Sequence, residues 1–536
     1  MIFASPKWVT QGQSVVYWRM FVRKKKNRSG TTSVVVVSKH HGKFKELITI
    51  GVSSDSSQIE YFTIQAKKWI DTQMGSRDIF QDSTLADEER QLTEVFLSRI
   101  ENVLLNGVQY LLDKVYRSIG FDRISDDILR HLVIARLSQP MSKLATVDYL
   151  KNHFDEDIHL YKVYRYLDKL YKSQQELIQK ISVDHTNKVL QGNVGIVFYD
   201  VTTLYFETDN SDELRENGFS KDGKHSHSQV VLGLLVTMEG YPLSYSLFNG
   251  SQYEGYTMIP IVEDYVQRFK LKDFVVVADS GLMNSKNVKL LQSGGYKYII
   301  GARIKSEADA IKKQILEFNK EDNAFKEIDK MDSRLVVHYS ADRARKDAFN
   351  REKGVKRLQN AFKSGKIKKE NINKRGYNKF LTITDNVSVT IDDDKIKEDQ
   401  KWDGLKGYLT NTRLPSEEVY RQYNGLWVIE KAFRVTKGTL EIRPVFHFTP
   451  KRIEAHVCIC FVAFKVYKEL ERILKINQIN HSVEKVISIS KTITTIKVML
   501  PYSQTRITKT MILTKKQKSI ASLFEDQFWK KIQGDA

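Results

Sequence analysis

Two apolar runs, each closed by an aspartate, constrain this chain more than anything else in it. The first is Val194-Gly195-Ile196-Val197-Phe198-Tyr199, followed by Asp200-Val201-Thr202-Thr203. The second is Phe274-Val275-Val276-Val277-Ala278, followed by Asp279-Ser280-Gly281. Short β-branched and aromatic runs bounded by Gly or an acid read as buried central strands. Each would deliver a carboxylate where a core strand opens to solvent. Either Asp alone reads more readily as the cap of a turn or of a following helix. Two of them at strand tips become a divalent-cation site only if a third carboxylate joins them.

The residues around these runs predict how the strands are ordered. Strand patterns cover 194–199, 230–237 and 241–248, with Glu239-Gly240 as a tight hairpin between the last two. An amphipathic helix over 257–269 follows, then the Asp279 strand, a short helix over 285–292 and a strand over 297–302. The order β-β-β-α-β-α-β, antiparallel first and crossovers after, is that of an α/β, ribonuclease H-like fold. In that fold the first and fourth strands are neighbours, which sets Asp200 beside Asp279.

A third carboxylate lies on a helix predicted from Pro415-Ser416 to Gly438. Tyr423, Glu430 and Lys437 are spaced by seven, and at about 100° per residue they form one stripe, which Arg434 joins. The alternatives are a solvated stripe of ion pairs or a metal-bound acid beside a phosphate track.

The flanking regions divide by pattern. Residues 1–57 read as a small β-rich basic domain, a three-stranded meander with cationic turns at 23–28 and 39–43. Residues 58–190 are helical, and 144–154 with 160–171 fit a helix-turn-helix carrying Tyr161, Lys162, Tyr164 and Arg165 on its second helix. The catalytic core is expected at 191–302 and 413–475. Between its two parts, 303–412 reads as a basic β-rich insertion, and 476–536 as a C-terminal region with dimerisation as its expected role. A helix opened by Thr449-Pro450 runs apolar through 457–464, so His456 reads as a buried or capping histidine.

Charge bounds the partner. Lys and Arg number 85 against 65 Asp and Glu, a net of +20, which suits a polyanion. Residues 343–379 hold 14 Lys/Arg and three acids. So lopsided a run points to phosphate contact through Lys353, Lys356, Arg357 and Lys363 rather than to a solvated face. No apolar run approaches 18 residues and the N-terminus lacks a signal-peptide core, so a cytoplasmic protein with no membrane partner is expected, associated with the nucleoid when on DNA. Cys458 and Cys460, two apart on a helix, are expected to be neither a disulfide nor a metal site.

The stretches Tyr199-Asp200-Val201-Thr202-Thr203-Leu204-Tyr205-Phe206, Gln229-Val230-Val231-Leu232-Gly233-Leu234-Leu235-Val236 and Ala278-Asp279-Ser280-Gly281-Leu282 resemble the DDE transposases of bacterial insertion sequences. The subgroup is the one with a β-rich insertion between the second Asp and the Glu. Its third signature, Tyr-x-x-Arg-Trp-x-x-Glu-x6-Lys, stands here as Tyr423-Asn424-Gly425-Leu426-Trp427-Val428-Ile429-Glu430, then Lys437. Leu426 replaces the usual Arg, a contact that Arg434 is the candidate to supply. The resemblance spans roughly 195–465.

It implies Asp200, Asp279 and Glu430 as catalytic ligands of two Mg²⁺ ions, with Mn²⁺ able to substitute. Hard cations take carboxylate oxygen, and a pair of them suits both cleavage and joining of phosphodiesters. It further implies binding of double-stranded DNA, both the element's terminal inverted repeats and the target, by a homodimer in the synaptic complex. Tyr423, Arg434 and Lys437 would touch DNA, and the insertion would assist a terminal hairpin, with Trp402 and Trp427 the aromatics in question. Trp427 reads as core. Competing readings are a non-catalytic DNA-binding protein derived from a transposase, a nuclease of the same fold that never joins strands, and a metal-independent paired-carboxylate hydrolase on sugars, which the charge disfavours.

Overall fold

The computed structural model describes residues 19–40, 42–74, 81–207, 210–218, 227–270, 274–282, 284–364, 376–384, 388–443, 445–500 and 503–534. The chain forms two compact units, one of residues 1–107 with 492–513 and one of 108–491 with 514–536.

In the first unit, strands β1 (Arg19–Lys26), β2 (Thr32–His40) and β3 (Lys43–Ser53) form an antiparallel meander in that order. β2 is central because it is the apolar strand: Val34 and Val36 pack on Ala66 and Ile70 of helix α1 (Ser56–Met74). The expected meander is present, but most of its first basic stretch lies on β1 rather than in a turn. Lys25 pairs there with Glu46 at 2.9 Å, and Arg23 and Lys39 flank the Phe44 ring. Residues 1–18 and His41 of that reading lie outside the described residues. Helix α2 (Gln81–Ser98) and strand β4 (Ile100–Leu104) follow, and the tail returns as strands Thr494–Met499 and Arg506–Met511. The first of these pairs antiparallel with β4.

The second unit opens on helices α3 (Gly107–Ile119), α4 (Asp127–Ser138), α5 (Lys143–Phe154), α6 (Leu160–Ser173) and α7 (Gln175–Val189). The expected helix pair is α5 and α6. The Ser142 hydroxyl caps α5 by accepting from the Ala145 N–H, and Asp155 in the left-handed region (φ 61°) turns the chain out of it. α6 buries Val163, Tyr166, Leu167 and Leu170 at three- and four-residue steps and leaves Tyr161, Lys162 and Arg165 exposed.

Then comes the main sheet. Strands β5 (Ile196–Tyr205), β6 (Gln229–Thr237) and β7 (Pro242–Asn249) are antiparallel neighbours. Helix α8 (Met258–Phe269) crosses over to β8 (Val275–Ala278), parallel to β5, and α9 (Ser285–Ser293) to β9 (Lys297–Ala302), parallel to β8. The order β7-β6-β5-β8-β9 is the ribonuclease H-like core that the sequence predicts. Next in the chain are α10 (Asp309–Leu316), β10 (Phe325–Lys330), β11 (Ser333–Tyr339), α11 (Ala341–Lys363), the small hairpin β12 (Leu381–Thr384) and β13 (Ser388–Ile391), α12 (Asp393–Gln400) and β14 (Leu405–Thr410).

The stretch expected as an insertion is joined to the core sheet in part. β14 pairs antiparallel with β9, and β11 and β10 continue outward, so one eight-stranded sheet runs β10-β11-β14-β9-β8-β5-β6-β7. Three strands of the stretch 303–412 thus extend the main sheet, while β12 and β13 form a separate two-stranded sheet packed with α11 around Leu358, Phe380, Leu381 and Val389. Physically, β9 would otherwise be an edge with a row of unpaired N–H and C=O groups, and β14 satisfies them.

The two faces of the sheet are distinct because side chains alternate. Val197, Tyr199 and Val201 of β5, Val276 and Ala278 of β8, Ile300 of β9 and Leu409 of β14 pack in one core with α8 and α9. Phe198 and Asp200, Val277 and Asp279, Ile299 and Gly301, and Lys406 and Tyr408 share the opposite face. Helices α13 (Ser416–Asn424), α14 (Trp427–Arg434) and α15 (Pro450–Ile476) follow β14 in the chain. α15, started by Pro450 at its first turn, is the apolar helix expected there. Cys458 and Cys460 are both buried and free, and His456 is buried with Nε2 3.1 Å from the Ile442 carbonyl oxygen. Among the described residues no helix is long and apolar enough to cross a membrane.

Candidate active site

Asp200 and Asp279 reach the site by different routes. β8 ends at Ala278, which is in register with Tyr199, so Asp279 leaves the strand tip as predicted. Asp200 is not at a tip. β5 continues to Tyr205, still paired with β6, and it is the end of β8 that opens the other side of β5 at Asp200. The next position of the same parallel register thus holds both carboxylates.

The third carboxylate arrives on a helix that is not straight. α13 ends at Asn424, Gly425 and Leu426 form a tight turn, α14 follows, and Val435–Thr439 widens into a π turn. Gly425 lies against the Phe198 ring, where a Cβ would collide, so the helix approaches β5 closely. Phe198 and Asp200 share a face of β5, and the helix that packs there sets Glu430 in the cleft that Asp200 lines. A cleft of about 380 Å³ is lined by Asp200, Asp279, Lys406, Tyr423, Asn424, Leu426, Trp427, Ile429 and Glu430.

Hydrogen bonds hold parts of this cleft. The Tyr423 hydroxyl donates to Asp279 Oδ1 at 2.8 Å, and the Gly281 N–H approaches Asp279 Oδ2 at 3.4 Å. Burial opposes ionisation of Asp279, but the Tyr423 hydroxyl, the Ser280 and Gly281 N–H groups and the Lys406 charge together hold its pKa below the usual carboxylate range. The same burial and the neighbouring Asp279 charge push the Tyr423 phenol far up, so it stays a donor. Asp200 Oδ1 accepts from the Val201 N–H at 2.8 Å. Glu430 is exposed at the cleft wall.

An all-carboxylate oxygen donor set suits a hard divalent cation. Among the described residues, however, no three acidic, His or Cys side chains stand close enough together to hold an ion as they are. The three acids share a cleft rather than a preformed cage. Carboxylates without a cation between them repel, and Asp200 and Asp279 are each turned to a local donor.

Several expected DNA contacts fall elsewhere. Tyr423 is 3% exposed and bonded to Asp279, so it builds the site instead of lying on a phosphate track. Further along, Arg434 is exposed in a neighbouring groove with Trp427, Lys431 and Glu484, and Lys437 sits half-buried in the π turn. Arg434 thus lines a groove that shares Trp427 with the cleft, and is not among the residues that line the cleft itself. Trp427, expected in the core, is 61% exposed at the cleft rim. Trp402 is half-buried against the Ile304, Ile315 and Leu405 cluster.

The basic stretch is helical at its start. Lys353, Lys356, Arg357 and Lys363 are exposed on α11, and none of them lines the cleft. Arg351 of the same helix is instead buried and makes a bidentate pair with Asp403 at 2.5 Å on each arm. Residues 365–375 of that run lie outside the described residues.

Sequence reasoning missed Lys406 and Gly301. Gly301 on β9 makes room for Tyr423, whose hydroxyl lies where a Cβ would stand. Lys406 on β14 enters the cleft because Tyr408, two residues on, pairs with Gly301 and fixes the register. Its only signal in the sequence is a lysine alternating with Tyr408 in a strand-like run.

A family model for the transposase DDE domain matches residues 194–464, half of the chain, and the chain belongs to that family. No curated protein matches the sequence. Among solved structures, the chain is similar to one described as the cryo-EM structure of a piggyBac transposase synaptic complex with hairpin DNA. The identity is 8%, over 79% of this chain and 72% of that one, with a TM-score of 0.36, too loose a likeness to bear on the site.

Proposed function

We propose that this transposase binds the DNA ends of its own insertion sequence, cuts the backbone there and joins the freed 3′ ends to target DNA, working as a homodimer. The observation that carries this reading is the single cleft lined by Asp200, Asp279 and Glu430, two on adjacent strands and one on a helix after a long intervening segment. These three would hold Mg²⁺ or Mn²⁺, which when bound supply Lewis-acid activation of a nucleophilic oxygen and stabilisation of a leaving one.

The chain's own residues have separate tasks. Tyr423 keeps one Asp279 oxygen engaged and leaves the carboxylate ionised. In cleavage a water oxygen bonds to phosphorus, loses its proton to solvent, and the P–O3′ bond breaks to free a 3′-hydroxyl. In joining, that hydroxyl oxygen bonds to a target phosphorus, its proton leaves, and the target's own P–O3′ bond breaks. One cleft serves both because both are displacements at phosphorus.

The test is a plasmid carrying the coding region with its natural flanking DNA, incubated with the full chain in Mg²⁺. The expected result is nicking at the flanks and strand-joined products, both abolished in Asp279→Asn. Nicking without joined products would assign a nuclease of the same fold. Metal-independent activity, or unchanged nicking by Asp279→Asn, would overturn the reading.

A further inference from the structure

Lys406 is the one cation that lines the acidic cleft among the described residues. It comes from β14, a strand that follows the basic helix α11 in the chain, and it reaches the carboxylates because β14 completes the edge of β9. Its ammonium lies 4.4 Å from the centre of the Tyr423 ring and 5.7 Å from that of Tyr408. Two aromatic faces support it without taking up its N–H donors.

No carboxylate comes within ion-pairing distance of it among the described residues, although Asp279 and Glu430 are near enough to favour its charge. Burial is the largest influence on it and lowers its pKa, with Arg343 acting in the same direction. A half-buried ammonium with free donors, facing a polar cleft, is a place for an anionic oxygen. The helix position where the family signature has an Arg is here Leu426, an apolar lining residue, and Arg434 points into another groove.

From this we infer that Lys406 donates to a non-bridging oxygen of the scissile phosphate, supplying from β14 the cationic contact that Leu426 cannot supply from the helix. The inference rests on the transposase reading of the cleft. It makes Lys406 a catalytic residue by contact with substrate, and it ties that contact to Asp279 through the shared Tyr423 ring.

The test compares Lys406→Met, Lys406→Gln and Lys406→Arg in the full chain. Three readouts are used: nicking of the flank-bearing plasmid in Mg²⁺, the salt dependence of binding to a duplex of that flank in Ca²⁺, and binding of Mn²⁺ alone. Met and Gln should each lower the nicking rate by on the order of 100-fold, the cost of removing one donor to developing phosphate charge. They should also reduce the log–log salt slope by about 0.9, one contact. Mn²⁺ should bind at least as tightly as to the wild type, since a repelling charge is gone. Arg should retain nicking within about tenfold, as it keeps both charge and donors.

Wild-type nicking by Met or Gln would overturn the inference. So would loss of Mn²⁺ binding together with nicking, because Lys406 would then only support Tyr423 and Asp279. An Arg variant as dead as Met would also count against a phosphate contact. If Asp279→Asn is inactive while Lys406→Met is fully active, this inference falls and the transposase reading stands; if Asp279→Asn still nicks, it is that reading that fails.

Discussion

Tyr423 on α13, the helix just before the one that carries Glu430, donates its hydroxyl to Asp279 Oδ1 at 2.8 Å. Tyr423→Phe removes one donor and nothing else. Asp279 is exposed enough for water to replace part of the bond, so the expected cost at neutral pH is about 1 kcal/mol, below the roughly 1.5–3 kcal/mol of a bond to a charged group shielded from water. The folded pKa of Asp279 is depressed, so the stability it contributes is present above its unfolded value and lost as pH falls through the folded one. Urea titrations of wild type and variant should therefore differ near pH 7 and converge below about pH 4. A difference that persists undiminished at low pH would show the bond is not to the carboxylate.

Gly301 lies beneath that hydrogen bond. A methyl group added there would meet the Tyr423 hydroxyl and press on the Ser280 N–H. Gly301→Ala should displace Tyr423 from Asp279 and cost about 1–3 kcal/mol by overpacking. Adding Tyr423→Phe to Gly301→Ala should then cost less than it does alone, since the clashing atom is gone. Strict additivity in the double-mutant cycle would disprove the contact.

These two residues also show what can and cannot be read from the chain alone. The Asp200 and Asp279 strands were legible because buried parallel strands are continuous apolar runs, and their adjacency follows from the strand order. The Glu430 helix was legible too, but its face only in part. A uniform turn per residue puts Tyr423, Glu430 and Lys437 in one stripe; Tyr423 and Glu430 do line one cleft, but Val435–Thr439 widens into a π turn before Lys437, which does not line it. Lys406 was not legible at all. Its role depends on β14 pairing with β9, a register about a hundred residues apart in sequence that no local pattern announces.

The basic helix α11 separates phosphate-directed charges from structural ones. Lys353, Lys356, Arg357 and Lys363 are exposed, with Lys356 also 2.8 Å from Glu352. Replacing all four by Ala should flatten the salt dependence of DNA binding by about 0.9 per lost contact, and the share of Lys356 should be the smallest because Glu352 already offsets it. Arg351→Ala should behave differently, destabilising by about 3–5 kcal/mol because Asp403 is left without its partner. An unchanged salt slope in the fourfold variant would return this helix to an ordinary solvated face.

Acid stability should depend on a residue away from the cleft. Glu469 on α15 is buried, accepts from Arg472 at 3.0 and 2.6 Å and from the Tyr241 hydroxyl at 2.9 Å, and lies 3.6 Å from His185. Burial opposes its charge, but His185 and Arg472 outweigh it and hold its pKa at about 2. A depressed carboxylate stabilises above its unfolded value, so this contribution is complete above about pH 4.5 and is lost between there and about pH 2. Its size is about 3 kcal/mol on that shift. Glu469→Gln should be destabilised by a similar amount at pH 7 and should lose less stability than the wild type on acidification. Parallel stability–pH curves for the two proteins would remove Glu469 from the account.

Glu430→Gln separates chemistry from binding. The side chain is exposed at the cleft wall, and no hydrogen bond or ion pair engages its carboxylate among the described residues. Gln keeps its size and removes only its charge, so the fold should be unchanged within about 0.5 kcal/mol. Duplex binding should persist or tighten slightly, because a negative charge facing the phosphates is gone. Nicking and joining should fall together by on the order of 100-fold or more, and Mn²⁺ should bind more weakly, if this carboxylate holds the cation. Glu418→Gln is the control, an acid on the preceding helix that pairs with Arg421 and accepts from Gln422 at 2.8 Å. It should lose up to about 1 kcal/mol of stability and none of the cleavage. Equal nicking by Glu430→Gln and the wild type would leave the two aspartates without their third ligand, and the chemistry would have to be sought on other side chains of the cleft.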